Sequence, residues 1–316
     1  MLNRRILRIK AFKVIYEYAI KGNMSLDDAL NEMNKSCEAT RDLYLFMLSI
    51  IIPLTKLAKE RIEAGKHKFN PTEEEMHPNE RFANNSISTI LESDPDFQKI
   101  IEKKKFSWDQ YDILLRSILD SINSKDYFKT YMEKPETSIK DDAELFVKIF
   151  EEEFVDSEEL EKLLEDMSIY WTDDLAYSLT YCCRSIMDIA KGHPWTLPNL
   201  YQSDEIKRQN LDANMDSDRD FAKKLVTLAF TGYEKYFKIV CESVPDWDSD
   251  RLFSADMALI ALGMAEAQGF KEIPIKVTLN EYVEISKYYS SPKSRKFVNG
   301  LLDKMIKENN ILNKTI

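Results

Sequence analysis

Glycine is scarce in this chain, at 7 of 316 residues, as are proline, at 10, and histidine, at 3. No two glycines lie closer than Gly263 and Gly269, so neither a dinucleotide fingerprint nor a phosphate-cradling loop can be written into the sequence. That shortage excludes most nucleotide-dependent enzymes. His67, His77 and His193 fall in expected loops beside prolines, without the helical pair spacing of a metal site and without a nucleophile to activate, so neither metal binding nor catalysis is expected. Four cysteines (Cys37, Cys182, Cys183, Cys241) lack CxxC spacing, and the adjacent Cys182 and Cys183 would point apart on a helix. They read as reduced small hydrophobes rather than as zinc ligands or a disulfide framework. Long apolar runs are missing too: Leu43 to Thr55 falls short of the roughly 20 residues of a membrane span and contains Pro53. The opening MLNRRILRIKAFKVIYEY has no uninterrupted apolar core and no small-residue cleavage site, so the expectation is a cytoplasmic protein with no membrane contact and no cofactor. Asp173-Asp174 after Trp171 suggests a helix cap before it suggests acid and base chemistry.

What is present favours helices. Hydrophobic residues make up 44 %, enough for a sizeable core, and Leu, Ile, Lys, Glu and Asp dominate, so the fold class is read as all-α. Three regions separate. Residues 1–24 hold an arginine-rich helix with Leu7, Ala11, Val14 and Tyr18 on one row and Ile9, Phe12 and Tyr16 on a second, so one face can serve a core and the other a partner. Residues 25–215 alternate helical patterns with polar breaks at Asn70-Pro71, His77-Pro78, Lys134-Pro135 and His193-Pro194. Leu43 to Ile62, Asp109 to Ser121, Asp142 to Phe154 and Glu158 to Met167 are its expected helices. Residues 216–310 read as four antiparallel helices: one through Phe221, Leu225 and Leu228; one capped by Ser254 and stopped by Gly269 and Pro274; one carrying Val277, Tyr282, Ile285 and Tyr289; and a last one capped by Ser291 with Pro292 at its first position.

A formal charge of -11 argues against general affinity for nucleic acid, because phosphate binding needs clustered cations. The distribution matters more than the sum. Residues 1–16 contain Arg4, Arg5, Arg8, Lys10 and Lys13 and no acid, whereas Glu151-Glu152-Glu153 and Glu158-Glu159 weight the middle. Arg4 and Arg8 stand one helical turn apart with Arg5 beside them, a spacing that lets guanidinium groups track successive phosphates. Arginines at a helix start also oppose the macrodipole, which an anionic ligand would explain. At the other end, SPKSRKFVNG places Lys293, Arg295 and Lys296 with Phe297 on the opening turn of the last helix. Free N–H groups, cations and an aromatic together suit a single-stranded base stacked beside its phosphate.

These residues also carry a family likeness. NRRILRIKAFKVIYEY resembles the arginine-rich opening helix of the NusB family, and residues 256–305 resemble its carboxyl half, with the acid-apolar helix ending at Glu266, the step Ile273-Pro274, the pair Asn280-Glu281 and the KFVNGLLD run at Lys296 to Asp303. DRDFAKKLV at 218–226 is similar to the helix before these elements. The resemblance to an ordinary member covers residues 1–20 and 216–307; the chain between them looks like the long form found in Bacteroidetes, including Asn84-Asn85 and Tyr170 to Asp174. It implies two packed helical bundles with a long additional helical insertion, no catalysis, and transcription antitermination through boxA-like single-stranded RNA of ribosomal RNA leaders, bound with the small-subunit ribosomal protein NusE within the RNA polymerase antitermination complex. By the same resemblance Arg4, Arg5, Arg8 and Phe297 match RNA-side positions, and Tyr16 and Asp256, with Phe12 on the same apolar row as Tyr16, match the NusE interface. Asn299 and Gly300 also match, with Gly300 read as permitting close helix packing. Ile260 departs from a usually basic position and Lys293 from an often polar or acidic one. An enzyme of the RNA methyltransferase kind would need a glycine-bearing cofactor domain and a cysteine motif that the sequence lacks. A protein-binding helical scaffold in ribosome biogenesis without RNA contact stays open.

Overall fold

The computed structural model describes residues 1–136, 138–208, 217–243 and 254–307, and these are helical throughout, with one isolated parallel bridge between Leu2 and Tyr201. The α-helices are, in chain order, α1 (Arg4–Lys21), α2 (Leu26–Ser49), α3 (Ile51–Lys66), α4 (Glu73–Met76), α5 (Ser86–Ser93), α6 (Pro95–Lys104), α7 (Asp112–Ser124) and α8 (Asp126–Glu133). They continue with α9 (Ile139–Ile149), α10 (Glu158–Met167), α11 (Leu175–Ala190), α12 (Gln202–Arg208), α13 (Asp218–Ser243), α14 (Ser254–Gly269), α15 (Ile275–Tyr289) and α16 (Pro292–Lys307). The all-α expectation is met. No helix among the described residues is long and apolar enough to cross a membrane.

The chain divides into two compact units, residues 1–38 with 199–316 and residues 39–198. The inserted unit is thus narrower than the 25–215 read from the sequence. Residues 25–38 belong with the termini because the first half of α2 buries Ala29, Met33 and Cys37, and Ser36 accepts a hydrogen bond from the buried Lys10 ammonium at 3.2 Å. Residues 199–204 join them through backbone pairing: Leu2 N–H donates to Leu200 O at 2.6 Å and Gln202 N–H to Leu2 O at 2.8 Å.

In the first unit α1 starts at Asn3, whose side chain accepts from the Ile6 N–H at 3.0 Å, and ends at Gly22, where a left-handed φ of 67° suits glycine. Leu7, Ala11, Phe12, Val14 and Ile15 are all buried, so both apolar rows of α1 reach the interior, and of the second row only Tyr16 is more than a third exposed. α14 is buried all round, from Asp256 to Glu266 without interruption, as a helix apolar on every side must be. Around it pack α1, α13, α15 and α16. Two glycines of α14 permit close approach: a Cβ on Gly263 would stand 2.8 Å from Leu302 Cδ2 of α16, and one on Gly269 would stand closer still to Leu228 Cδ1 of α13. Gly300 has no such role, because a Cβ built on it meets nothing within 4 Å. The close-packing reading therefore belongs to Gly263 and Gly269 instead.

In the second unit the interior is aromatic. Phe46 stacks on Trp108 at 4.2 Å and on Trp171 at 5.5 Å, and Phe97, Phe146, Phe150 and Phe154 are fully buried. The expected helix Leu43 to Ile62 is two helices broken at Ile50, with Pro53 in the first turn of α3, where a missing N–H costs no hydrogen bond. Asp142 to Phe154 is likewise α9 followed by a wider π-helical turn over Phe150–Phe154, which buries both end phenylalanines with rings 4.9 Å apart. Asp174 sits at the N-cap of α11 without a capping bond; it is buried and accepts the Thr40 hydroxyl at 2.5 Å, so it ties α2 to α11.

Candidate nucleic-acid interface

The three arginines of α1 converge, and their anionic partners come from this chain. Arg8 is 4 % exposed. Its Nε and Nη2 donate to Glu266 at 2.7 and 2.8 Å, a bidentate pair, and Glu266 also accepts from the hydroxyls of Thr278 at 2.9 Å and Tyr282 at 3.0 Å. Burial is the largest single influence on Arg8 and lowers its pKa, but the Glu266 hydrogen bond and the charges of Glu266 and Glu281 together outweigh it and the guanidinium stays charged. The same environment raises the Tyr282 pKa far above its usual range, through burial first and the Glu266 charge second. Arg5 donates to Glu281 at 3.0 and 2.8 Å, with about half of its side chain in water, and this bond holds the Glu281 carboxyl below its ordinary pKa. Arg4 reaches Asp218 at 3.4 Å, and Arg4 and Arg8 both lie over the Phe221 ring, at 5.0 and 5.2 Å.

The expected anion at this helix start is thus supplied by Asp218, Glu266 and Glu281. Arg8 has no surface from which to touch a phosphate. The sequence holds a signal for this arrangement: Glu266 is an acid inside an apolar helix, and such an acid needs an internal cation.

At the other end of α1 the aromatic row meets the corner where α15 turns into α16. Phe12 is buried, stacks on Tyr16 at 5.8 Å and lies 4.9 Å from Tyr289. Asp256, placed by the resemblance at the NusE interface, is 3 % exposed and accepts the Ser290 hydroxyl. It closes the corner from inside, held to the C-cap residue of α15. Of Phe12, Tyr16 and Asp256, only Tyr16 presents a substantial face to solvent.

The second basic cluster opens α16 at this same corner. Ser291 caps the helix, its Oγ accepting from the Ser294 N–H at 3.1 Å. Lys296 is exposed, Arg295 and Phe297 are half-buried, and the side chain of Lys293 lies outside the described residues. Arg295 and Lys296 enter no ion pair among the described residues, and the buried Nε of Arg295 has no hydrogen-bond partner. Arg5 pairs with Glu281 in the middle of α15, whereas the second cluster follows the end of α15 at Tyr289, so the two basic clusters attach to different parts of that helix and share no ion pair among the described residues.

A sequence profile of the NusB family matches residues 196–307. A protein of Listeria monocytogenes named transcription antitermination protein NusB is 36 % identical over 87 residues, which is 28 % of this chain and 68 % of the relative. The chain belongs to the NusB family. A NusB of Salinibacter ruber is 34 % identical over 90 residues, and there the chain spans 56 % of the relative's length. A NusB of Clostridium botulinum is 27 % identical over 129 residues, 41 % of this chain and 85 % of the relative. No solved structure matches the chain. The NusB match takes in α13 to α16, with the opening of α16, and stops short of most of the unit at 39–198.

Proposed function

We propose that this NusB-family chain is a transcription antitermination factor that binds boxA-like single-stranded RNA of ribosomal RNA leaders together with the ribosomal protein NusE, in the RNA polymerase antitermination complex. It works in the cytoplasm and catalyses no reaction. The observation that carries this reading is the opening of α16, where Arg295 and Lys296 pair with no carboxylate among the described residues and stand beside Phe297 in the segment matched to the family. Cations already neutralised by internal acids gain little from a phosphate, so Arg295 and Lys296 carry the RNA contact, with Lys293 in the same turn. Arg5 adds to it from α1, because its pair with Glu281 is open to water. Arg4 and Arg8 hold α1 in place. Tyr16 is the α1 residue that meets NusE, with Phe12 and Asp256 fixing the corner behind it.

The test is fluorescence anisotropy with a labelled boxA-type RNA, with and without NusE. Binding that tightens when NusE is present supports the reading. A chain that associates with NusE and binds no RNA under either condition is instead a protein-binding scaffold, a reading favoured by the three arginines of α1 being paired internally.

A further inference from the structure

A cleft of about 640 Å³ opens in the first unit between the first half of α2 and the start of α13, with Tyr201 at its end. Its size is that of a small-ligand site. One wall is a single stripe of α2, Asp27, Asn31, Asn34 and Glu38, at helical spacings of four, three and four. Facing it, Arg219 and Lys223 stand one turn apart on α13, and the Arg219 guanidinium lies over the Tyr201 ring at 5.3 Å. Leu30, Met33 and Ala222 supply an apolar floor. Among the described residues Asp27, Asn31, Asn34 and Lys223 make no side-chain hydrogen bond or ion pair. Four free polar groups converging over an apolar floor, with acid on one wall and base on the other, fit a ligand that is itself polarised.

We propose that this cleft takes a guanine nucleotide, as one residue of the bound RNA or free in solution; the first case rests on the RNA-binding reading above. A carboxylate is an acceptor only, and guanine alone among the four RNA bases offers two adjacent N–H donors, at N1 and the exocyclic amine. Asp27 takes that edge. Asn31 and Asn34, each both donor and acceptor, serve the remaining edge atoms. The planar guanidinium of Arg219, steadied on Tyr201, gives the base a stacking surface, and Lys223 takes the phosphate. Adenine would set its N1 acceptor against the Asp27 carboxylate.

The experiment uses the full chain with GMP, AMP and two labelled U-rich pentanucleotides that differ only in a central G or A. The expected result is a preference for G of about tenfold or more, abolished by Asp27→Asn while the thermal midpoint is unchanged, and Lys223→Ala weakening both ligands equally. GMP binding without oligonucleotide binding supports the free-nucleotide case and leaves the RNA reading to fail separately. Binding of boxA-type RNA that is indifferent to Asp27→Asn, with no discrimination between GMP and AMP, overturns the cleft proposal and leaves the RNA reading standing. Occupation by a basic peptide with no nucleotide binding overturns it as well.

Discussion

The two compact units carry opposite electrostatic characters. Residues 39–198 hold 20 Lys and Arg against 32 Asp and Glu, whereas the rest of the chain holds 24 against 23. The inserted unit therefore carries a formal charge of -12 and the rest of the chain +1, so the NusB-like unit is close to neutral. Exposed charges more than about 10 Å apart are largely screened at physiological salt, so a bound strand responds to the cations near it and not to the chain total. The overall balance, taken alone, misjudges the proposed RNA face.

The units also differ in what they bury. The NusB-like unit encloses a full ion pair, Arg8 with Glu266, joining the first helix to the carboxyl-terminal bundle across 258 residues of sequence. The inserted unit encloses hydrogen-bonded single acids: Asp142 accepts the Tyr131 hydroxyl and the Ser86 N–H, both at 2.7 Å. The units should therefore respond differently to removal of one partner. Glu266→Ala leaves a buried guanidinium unpaired and should cost about 3–5 kcal/mol in urea unfolding, with Arg8→Leu in the same chain recovering much of the loss. A single-variant cost below about 1 kcal/mol would mean the pair is open to water. Asp142→Ala leaves a tyrosine hydroxyl and an amide unsatisfied and should cost about 1–3 kcal/mol, with lost hydrogen-exchange protection confined to residues 39–198. Spread of that loss into α13 to α16 would erase the distinction between the units.

The smallest effect sharpens the contrast within α1 itself. Arg5 is half exposed, so Arg5→Ala should cost only about 0.2–1 kcal/mol. Glu281 has a lowered pKa in the folded chain, so the pair stabilises above the ordinary glutamate value of 4.5 and is lost as pH falls through the lower folded value. Wild type and Arg5→Ala should therefore differ at pH 7 and converge in acid. A difference that persists at low pH would assign Arg5 a packing role.

Much of the NusB-like unit was legible because its signals are local. Ser291 with Pro292 announces the start of α16, and the apolar run from Met257 to Ala265 announces a central helix. The break at Ile50 had a mark that the expected helix Leu43 to Ile62 ran through, because Pro53 is tolerated in the first turn of a helix and not in its interior. The site was half legible. The basic residues could be picked out, but whether each cation faces water or an acid depends on partners more than 200 residues away, such as Asp218, Glu266 and Glu281. The burial of Asp256 was not legible either, since its partner Ser290 is the C-cap residue of α15, 34 residues on.

The central claim is that RNA is held by the opening of α16 and not by the paired arginines of α1. The measurement that tests it most directly is the salt dependence of boxA-type RNA binding by wild type, by Arg295→Ala with Lys296→Ala, and by Arg4→Ala. The account predicts a log–log slope shallower by about 1.4 for the double variant, from two single-strand phosphate contacts at about 0.7 each, and an unchanged slope for Arg4→Ala. An unchanged slope for the double variant with a reduced one for Arg4→Ala would contradict it and return the RNA to the arginine end of α1.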